Sequence, residues 1–339
     1  MYYSELTQNQ LRVSVDLHQT YEAYREARRN KKKYAGGIAW KTVSGRDYLI
    51  KILNRRGSTK SLGPRSPETE AIYTELLAGK ARAKEREASL ATSLKEFSGM
   101  ARGVNLNRVP SIVTETLRKL DTHGLLGKNL MVIGTNAMYG YEAVAGVQFD
   151  AGLMATTDFD LLWDARARLK LAALGDEVAE AGVLAILRKV DRSFEPLNQG
   201  GFRASNKAGF FVDLVKQAPD PPWKNGEPER IADGDLTPSW LPNIKWLLAS
   251  EKFQAVVVGQ DGLPAPMVAP DPRSFAVYKW WLGGQDDRDP VKKRRDRQQA
   301  LATIALVRDK LPHLPLDANA ERMFPKEARQ LGRAAGFEL

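Results

Sequence analysis

Apolar and polar positions along this chain switch between two periods, and the switches mark its elements. Over 7–33, Leu11, Val15, Leu17, Tyr21 and Tyr24 recur at helical spacing. Two β-rich runs follow, 37–43 and 47–53, around a Ser44-Gly45 turn, which predicts a hairpin. A polar stretch over 55–67 predicts a loop. From Pro67, a segment rich in Ala, Glu, Lys and Arg predicts a long helix to about residue 97, with Gly99 to Gly103 as a junction.

The second half alternates strands and helices. A helix over 110–123 is closed by Gly124, and a strand over 129–133 runs into Gly134-Thr135-Asn136. A helix over 137–144, a loop and a strand over 155–163 come next, then helical segments at 169–180 and 183–190. Residues 201–216 predict a second hairpin, turning at Asn206-Lys207-Ala208-Gly209. A Pro/Gly/Asp-rich loop spans 219–238. A third hairpin joins 253–258 to 263–268 through Gly259-Gln260-Asp261-Gly262, and helices over 272–282 and 290–311 end the pattern. There is no internal repeat.

Composition narrows the class. An apolar share of 43% and a charged share of 27% suit a soluble globular protein. The absence of cysteine excludes disulfides, thiolate zinc sites and a thiol nucleophile. His18, His123 and His313 have unrelated spacings, which argues against a histidine metal cluster or a Ser-His-Asp triad. The first residues lack a signal-peptide pattern and no apolar run is long enough to cross a bilayer, so the expected compartment is the cytoplasm, away from membranes. A net charge of +10 favours anionic partners such as nucleic acid or nucleotides, and its clusters fall at 28–33, 51–60, 82–86 and 292–297.

The strongest chemical signal is Asp158-Phe159-Asp160 inside an otherwise apolar strand. Strand side chains alternate, so both carboxylates leave one face while Phe159 and Leu161 enter the protein. Charges on such a strand are costly unless paired, and a divalent cation, usually Mg²⁺, is the simplest partner for two same-face carboxylates. Asp213 is a third anomalous acid, sharing its strand face with Phe211 and Val215. Three carboxylates on neighbouring strands suffice to hold two Mg²⁺ ions, as phosphoryl chemistry uses them. Gly134-Thr135 lies where a strand becomes a helix, a place that admits a phosphate.

The stretches Val132-Ile133-Gly134-Thr135-Asn136-Ala137, Thr157-Asp158-Phe159-Asp160-Leu161-Leu162 and Phe211-Val212-Asp213-Leu214-Val215, in that order, resemble the DNA polymerase β-like nucleotidyltransferase superfamily. The chain looks closest to a bacterial group of nucleotidyltransferase-fold proteins related to abortive-infection and toxin–antitoxin enzymes. The resemblance covers about 104–300. It implies an α+β fold, with a nucleotidyltransferase-type mixed sheet backed by helices. It further implies transfer of a nucleoside monophosphate from an NTP to a hydroxyl or phosphate. Asp158, Asp160 and Asp213 would be the catalytic and metal-binding residues, with Mg²⁺ as cofactor and Mn²⁺ as an alternative. Gly134, Thr135 and Lys279 would bind the nucleotide, Lys279 because relatives carry a lysine on the helix after the third hairpin. The chain would then comprise a helix–hairpin–helix module over 1–102, a catalytic domain over 103–270 and a helical region over 271–339. The spacer between Thr135 and Asp158 is longer than in the simplest members, which leaves the placement of Thr135 less constrained.

Plainer readings stand beside these. The run Lys292, Lys293, Arg294, Arg295, Arg297 could contact nucleic-acid phosphates or form a solvated helix face paired to Asp289 and Asp296. Arg65 fits a helix-leading turn better than a phosphate site, and Trp40, Tyr48 and Trp163 fit the core better than base-stacking platforms. The acceptor expected from charge and resemblance is RNA, with tRNA as one candidate. The alternatives are a catalytically idle nucleic-acid-binding fold, or a defence or toxin enzyme that modifies a protein or a small molecule.

Overall fold

A computed structural model describes residues 2–53, 57–164, 182–219, 230, 232–316 and 326–336. The expected helix over 169–180 and most of the 219–238 loop lie outside the described residues. The chain divides into two compact units, one of residues 12–103 and one of residues 1–11 with 104–339. The last helices fall in the same compact unit as the sheet.

In chain order, β1 (Tyr3–Glu5) precedes α1 (Gln8–Lys33). The start of α1 is a reciprocal cap: Gln10 N–H donates to Thr7 Oγ1 (3.3 Å), and Thr7 N–H donates to Gln10 Oε1 (2.9 Å). Strands β2 (Gly37–Val43), β3 (Arg46–Ile52) and β4 (Thr59–Pro64) form an antiparallel three-stranded sheet. Ser44 (φ 51°) and Gly45 (φ 76°) make the left-handed two-residue turn that a tight hairpin needs. Part of the predicted loop over 55–67 is therefore a strand, supported by pairing with β3 and not by its own pattern. Helix α2 (Pro67–Gly103) runs through the predicted junction.

The larger unit follows with α3 (Ser111–Thr122), β5 (Leu130–Ile133), α4 (Ala137–Ala145), β6 (Val147–Phe149), α5 (Ala151–Met154) and β7 (Asp158–Trp163). Next come α6 (Gly182–Val190), β8 (Glu195–Pro196), β9 (Arg203–Ser205), β10 (Phe211–Gln217), β11 (Ser239–Leu241) and α7 (Lys245–Ala249). The hairpin β12 (Lys252–Val258) and β13 (Pro264–Pro270) leads to α8 (Pro272–Leu282), α9 (Pro290–Lys310) and α10 (Lys326–Ala334). Both α8 and α9 start with Asp-Pro: Asp271 and Asp289 accept from N–H groups of the first turn, and proline fills the position with no hydrogen bond to lose.

The central sheet is mixed, ordered β5-β7-β10-β9-β8 with β11 beside β10. Its alternation separates two cores. Val132, Phe159, Leu161, Val212 and Leu214 face a layer containing Val113, Leu117, Met138 and Leu187. Ile133, Leu162 and Val215 face the opposite layer, with Trp246, Val277, Ala300 and Ile304. That second face carries the three aspartates. No described helix is long and apolar enough to cross a membrane.

Candidate active site

Strand β7 lies between β5, which is antiparallel to it, and β10, which is parallel. The register sets Ile133 and Asp213 on either side of Asp160. Asp158, Asp160 and Asp213 therefore occupy one face of adjacent strands, with Phe159 and Leu161 fully buried on the other. At the end of β5, Gly134 has a left-handed backbone (φ 65°), and a Cβ built there would come within 2.1 Å of Asp160 Oδ2. Only glycine allows that carboxylate to sit against the turn.

The three acids have different surroundings. Thr156 Oγ1 donates to the Asp158 carboxylate, and Asn136 Nδ2 donates to the Asp158 carbonyl oxygen (2.7 Å). Arg203 grips Asp213 in a bidentate pair, Nε to Oδ1 and Nη2 to Oδ2 both at 2.6 Å. Its guanidinium also lies 4.9 Å from the Phe211 ring centre. Asp160 receives no hydrogen bond from any described residue. Dense packing around it, then the charges of Asp158 and Asp213, lift its pKa from 3.8 to about 7, against the lowering pull of Lys279 and Arg203.

Thr135 is buried, and its hydroxyl accepts from Gln299 Nε2 (3.1 Å), which also donates to the Leu153 carbonyl (2.7 Å). The Asn136 Oδ1 and Gln299 Oε1 atoms are buried without a partner among the described residues. No described side chain caps the first turn of α4.

Lys279 is 5% exposed, and its ammonium is committed to Asp296 Oδ1 (2.8 Å). Asp296, fully buried, also binds Arg288 through Oδ2 (2.8 Å). Lys279 thus reaches the aspartates through its field on Asp160 and not as a free ammonium. The basic run on α9 is partly spent on structure: Lys293 donates to the Asp286 carbonyl, Arg295 to that of Ala155, and Arg297 to that of Gly283. Arg65 binds Asp47 and Glu70 and covers the Trp40 ring, as a helix-leading arginine would. Trp163 is buried in the core, whereas Tyr48 is half-exposed on a sheet face, contrary to expectation.

Sequence reasoning missed Arg203, Asn136, Gln299 and the Lys279–Asp296–Arg288 cluster. Only Arg203 left a usable trace: it stands one hairpin turn before an acid on an apolar strand. As to a metal, no group of three acidic or histidine side chains is gathered in ligand geometry among the described residues. Asp158 and Asp160 nevertheless fit a divalent cation. Asp160 is a carboxylate without a donor among the described residues and is crowded by like charge, and the Asn136 amide that binds the Asp158 carbonyl has an unpartnered oxygen.

The structure thus combines a mixed sheet with helices on both faces, acids on adjacent parallel strands, and a glycine turn beside them. The nucleotidyltransferase family model matches residues 111–324, more than half of the chain, and the chain belongs to that family. No curated protein sequence is significantly similar to it. The crystal structure of an antigenic nucleotidyltransferase-like protein from Paracoccidioides brasiliensis is similar at 14% identity, covering 67% of this chain and 88% of that one, with a TM-score of 0.33. A likeness that loose carries no argument about function.

Proposed function

We propose that this nucleotidyltransferase uses a divalent cation held by Asp158 and Asp160, Mg²⁺ with Mn²⁺ as a substitute, to transfer a nucleoside monophosphate from an NTP to an RNA hydroxyl, with pyrophosphate as the leaving group. The observation that carries this reading is the parallel pairing that sets Asp213 beside Asp160, next to the glycine turn. When bound, such a cation neutralises triphosphate charge and activates the attacking oxygen.

The chain's own residues would do the rest. Gly134 lets a phosphate approach the backbone at the start of α4. Thr135, already accepting from Gln299, keeps its own hydroxyl proton to donate to a phosphate oxygen. Asp160 holds a proton near neutral pH and releases it when positive charge arrives. Asp213 would take part by exchanging Arg203, which then becomes available to phosphate. Lys279 supplies positive potential from its place against Asp296; direct contact with a nucleotide would require it to leave that carboxylate.

The test is incubation with each α-phosphate-labelled NTP, Mg²⁺, and either total RNA or total cell protein. The expected result is label in RNA, lost in the Asp158→Asn/Asp160→Asn variant. Label in protein alone would redirect the reading to protein modification. Label in neither, or transfer that survives the double variant, would refute it.

A further inference from the structure

The unit of residues 12–103 lies outside the segment matched by the family, and it carries the chain's charge. It holds 20 Lys and Arg against 10 Asp and Glu, while the remaining residues hold 31 of each. The entire net charge of +10 therefore resides on this unit. A net positive charge carried by one unit favours polyanions there.

The two faces of its sheet are unlike. On one, Leu49 is fully buried, Trp40 packs on Tyr73 of α2 at 5.8 Å, and Asp47 accepts from Thr42 (2.6 Å) and Arg65 (3.3 Å). That side is the unit's own core. The other side is an open depression of about 740 Å³ lined by Lys41, Ser44, Arg46, Tyr48, Thr59 and Ser61, among others. The register places Lys41 opposite Tyr48 and Ile50 opposite Ser61, so these side chains make one continuous surface. None of its lining residues is acidic. Among the described residues, neither Lys41 nor Arg46 has a carboxylate partner. A second basic cleft in the same unit, between α1 and α2, is already engaged: Arg28 and Lys31 pair with Glu87, and Lys80 donates to the Gly36 carbonyl.

We infer that the open face of this sheet binds single-stranded RNA. A half-exposed tyrosine ring flanked by two uncommitted cations offers a stacking surface for a base and counter-charges for its phosphates. Bases reach such a flat face only when unpaired, which excludes a duplex. The hydroxyls of Ser44, Thr59 and Ser61 suit 2′-hydroxyl groups, which DNA lacks. Val43 is the one exposed large apolar side chain in the lining, too little to enter a lipid surface. The inference rests on the RNA-acceptor reading for the role of the bound strand, not for the binding itself.

The test is fluorescence anisotropy of a labelled mixed-sequence oligoribonucleotide with the full chain. Lys41→Glu/Arg46→Glu, two exposed positions, should weaken binding more than tenfold at ~0.1 M salt and flatten the log–log salt dependence by about 1.4. Tyr48→Ala should weaken it roughly tenfold and Tyr48→Phe should not. In the parent protein, intact RNA binding without any label transfer would count against the catalytic reading alone. Unchanged affinity in the charge-reversal and Tyr48→Ala variants overturns the inference. So does equal or tighter binding of single-stranded DNA, of duplex RNA or of anionic phospholipid vesicles.

Discussion

Asp160→Asn isolates the electrostatic problem at the centre of the site. In the folded chain the Asp160 carboxyl has its pKa lifted from 3.8 to about 7. A carboxyl raised in this way costs nothing below about pH 4, where it is protonated in both folded and unfolded chains. As pH rises from there to about 7, the unfolded chain ionises and the folded one resists, so stability falls. Above pH 7 the penalty is constant. At about 1.4 kcal/mol for each tenfold change, the full penalty is about 4 kcal/mol. The amide cannot ionise, so Asp160→Asn should match the parent near pH 4 and exceed it by up to about 4 kcal/mol at pH 8.

Thermal melting across this range reads the difference, at roughly 2–4 °C per kcal/mol for a unit of this size. Adding Mg²⁺ at pH 8 should recover much of the gap in the parent, because a cation stabilises only the state that binds it, and should move the variant little. A stability difference independent of pH would refute the assignment of a raised pKa to Asp160. A variant less stable than the parent at pH 8 would mean that the carboxylate is already satisfied within the fold.

Two further substitutions probe what holds the site. Gly134→Ala introduces a Cβ within 2.1 Å of Asp160 Oδ2 at a left-handed backbone, so it should cost at least about 2 kcal/mol in urea unfolding and abolish nucleotide transfer; full activity would show that the turn does not need glycine. Asp296→Ala strands Lys279 and Arg288 beside a buried cavity and should cost about 3–5 kcal/mol, while exposed Lys292→Ala should stay within about 0.5; a loss below about 1 kcal/mol at Asp296 would mean that the cluster is not structural.

What could be read from sequence was local. The hairpin at Ser44-Gly45, the aspartate strand and the helices that begin at 272 and 290 each depend on neighbours a few residues apart, and each pattern has one good physical solution. Strand β4 was not legible because Thr59-Lys60-Ser61-Leu62-Gly63-Pro64 has no two-residue period and contains two residues that strands disfavour; only pairing with β3 makes it a strand. The extension of α2 through Gly99 and Gly103 ran against glycine's low propensity, and neither position has another atom within 4 Å of a built Cβ. Lys279 was legible as a lysine on the right helix, but not as the partner of Asp296, because that contact forms only when α8 packs on α9. The pairing of Arg203 with Asp213 likewise requires the antiparallel register of β9 on β10.

The same pairings bear on whether the site calls for an external cation. A basic chain could in principle neutralise its own aspartates. Here, however, the guanidinium nearest the acids is bound to Asp213, and the buried ammonium is bound to Asp296. The unit that contains the site has as many acids as bases, so it carries no net positive charge, and the fields of Lys279 and Arg203 still leave the Asp160 pKa raised. Asp158 has a hydroxyl and Asp160 has no donor among the described residues. A carboxylate that lacks a donor and sits beside a second acid, as Asp160 does, is destabilising unless a proton or a metal supplies the missing charge. Near neutral pH a proton on Asp160 does so, and a divalent cation would do so for both acids at once, which is why Mg²⁺ should stabilise the parent and spare Asp160→Asn.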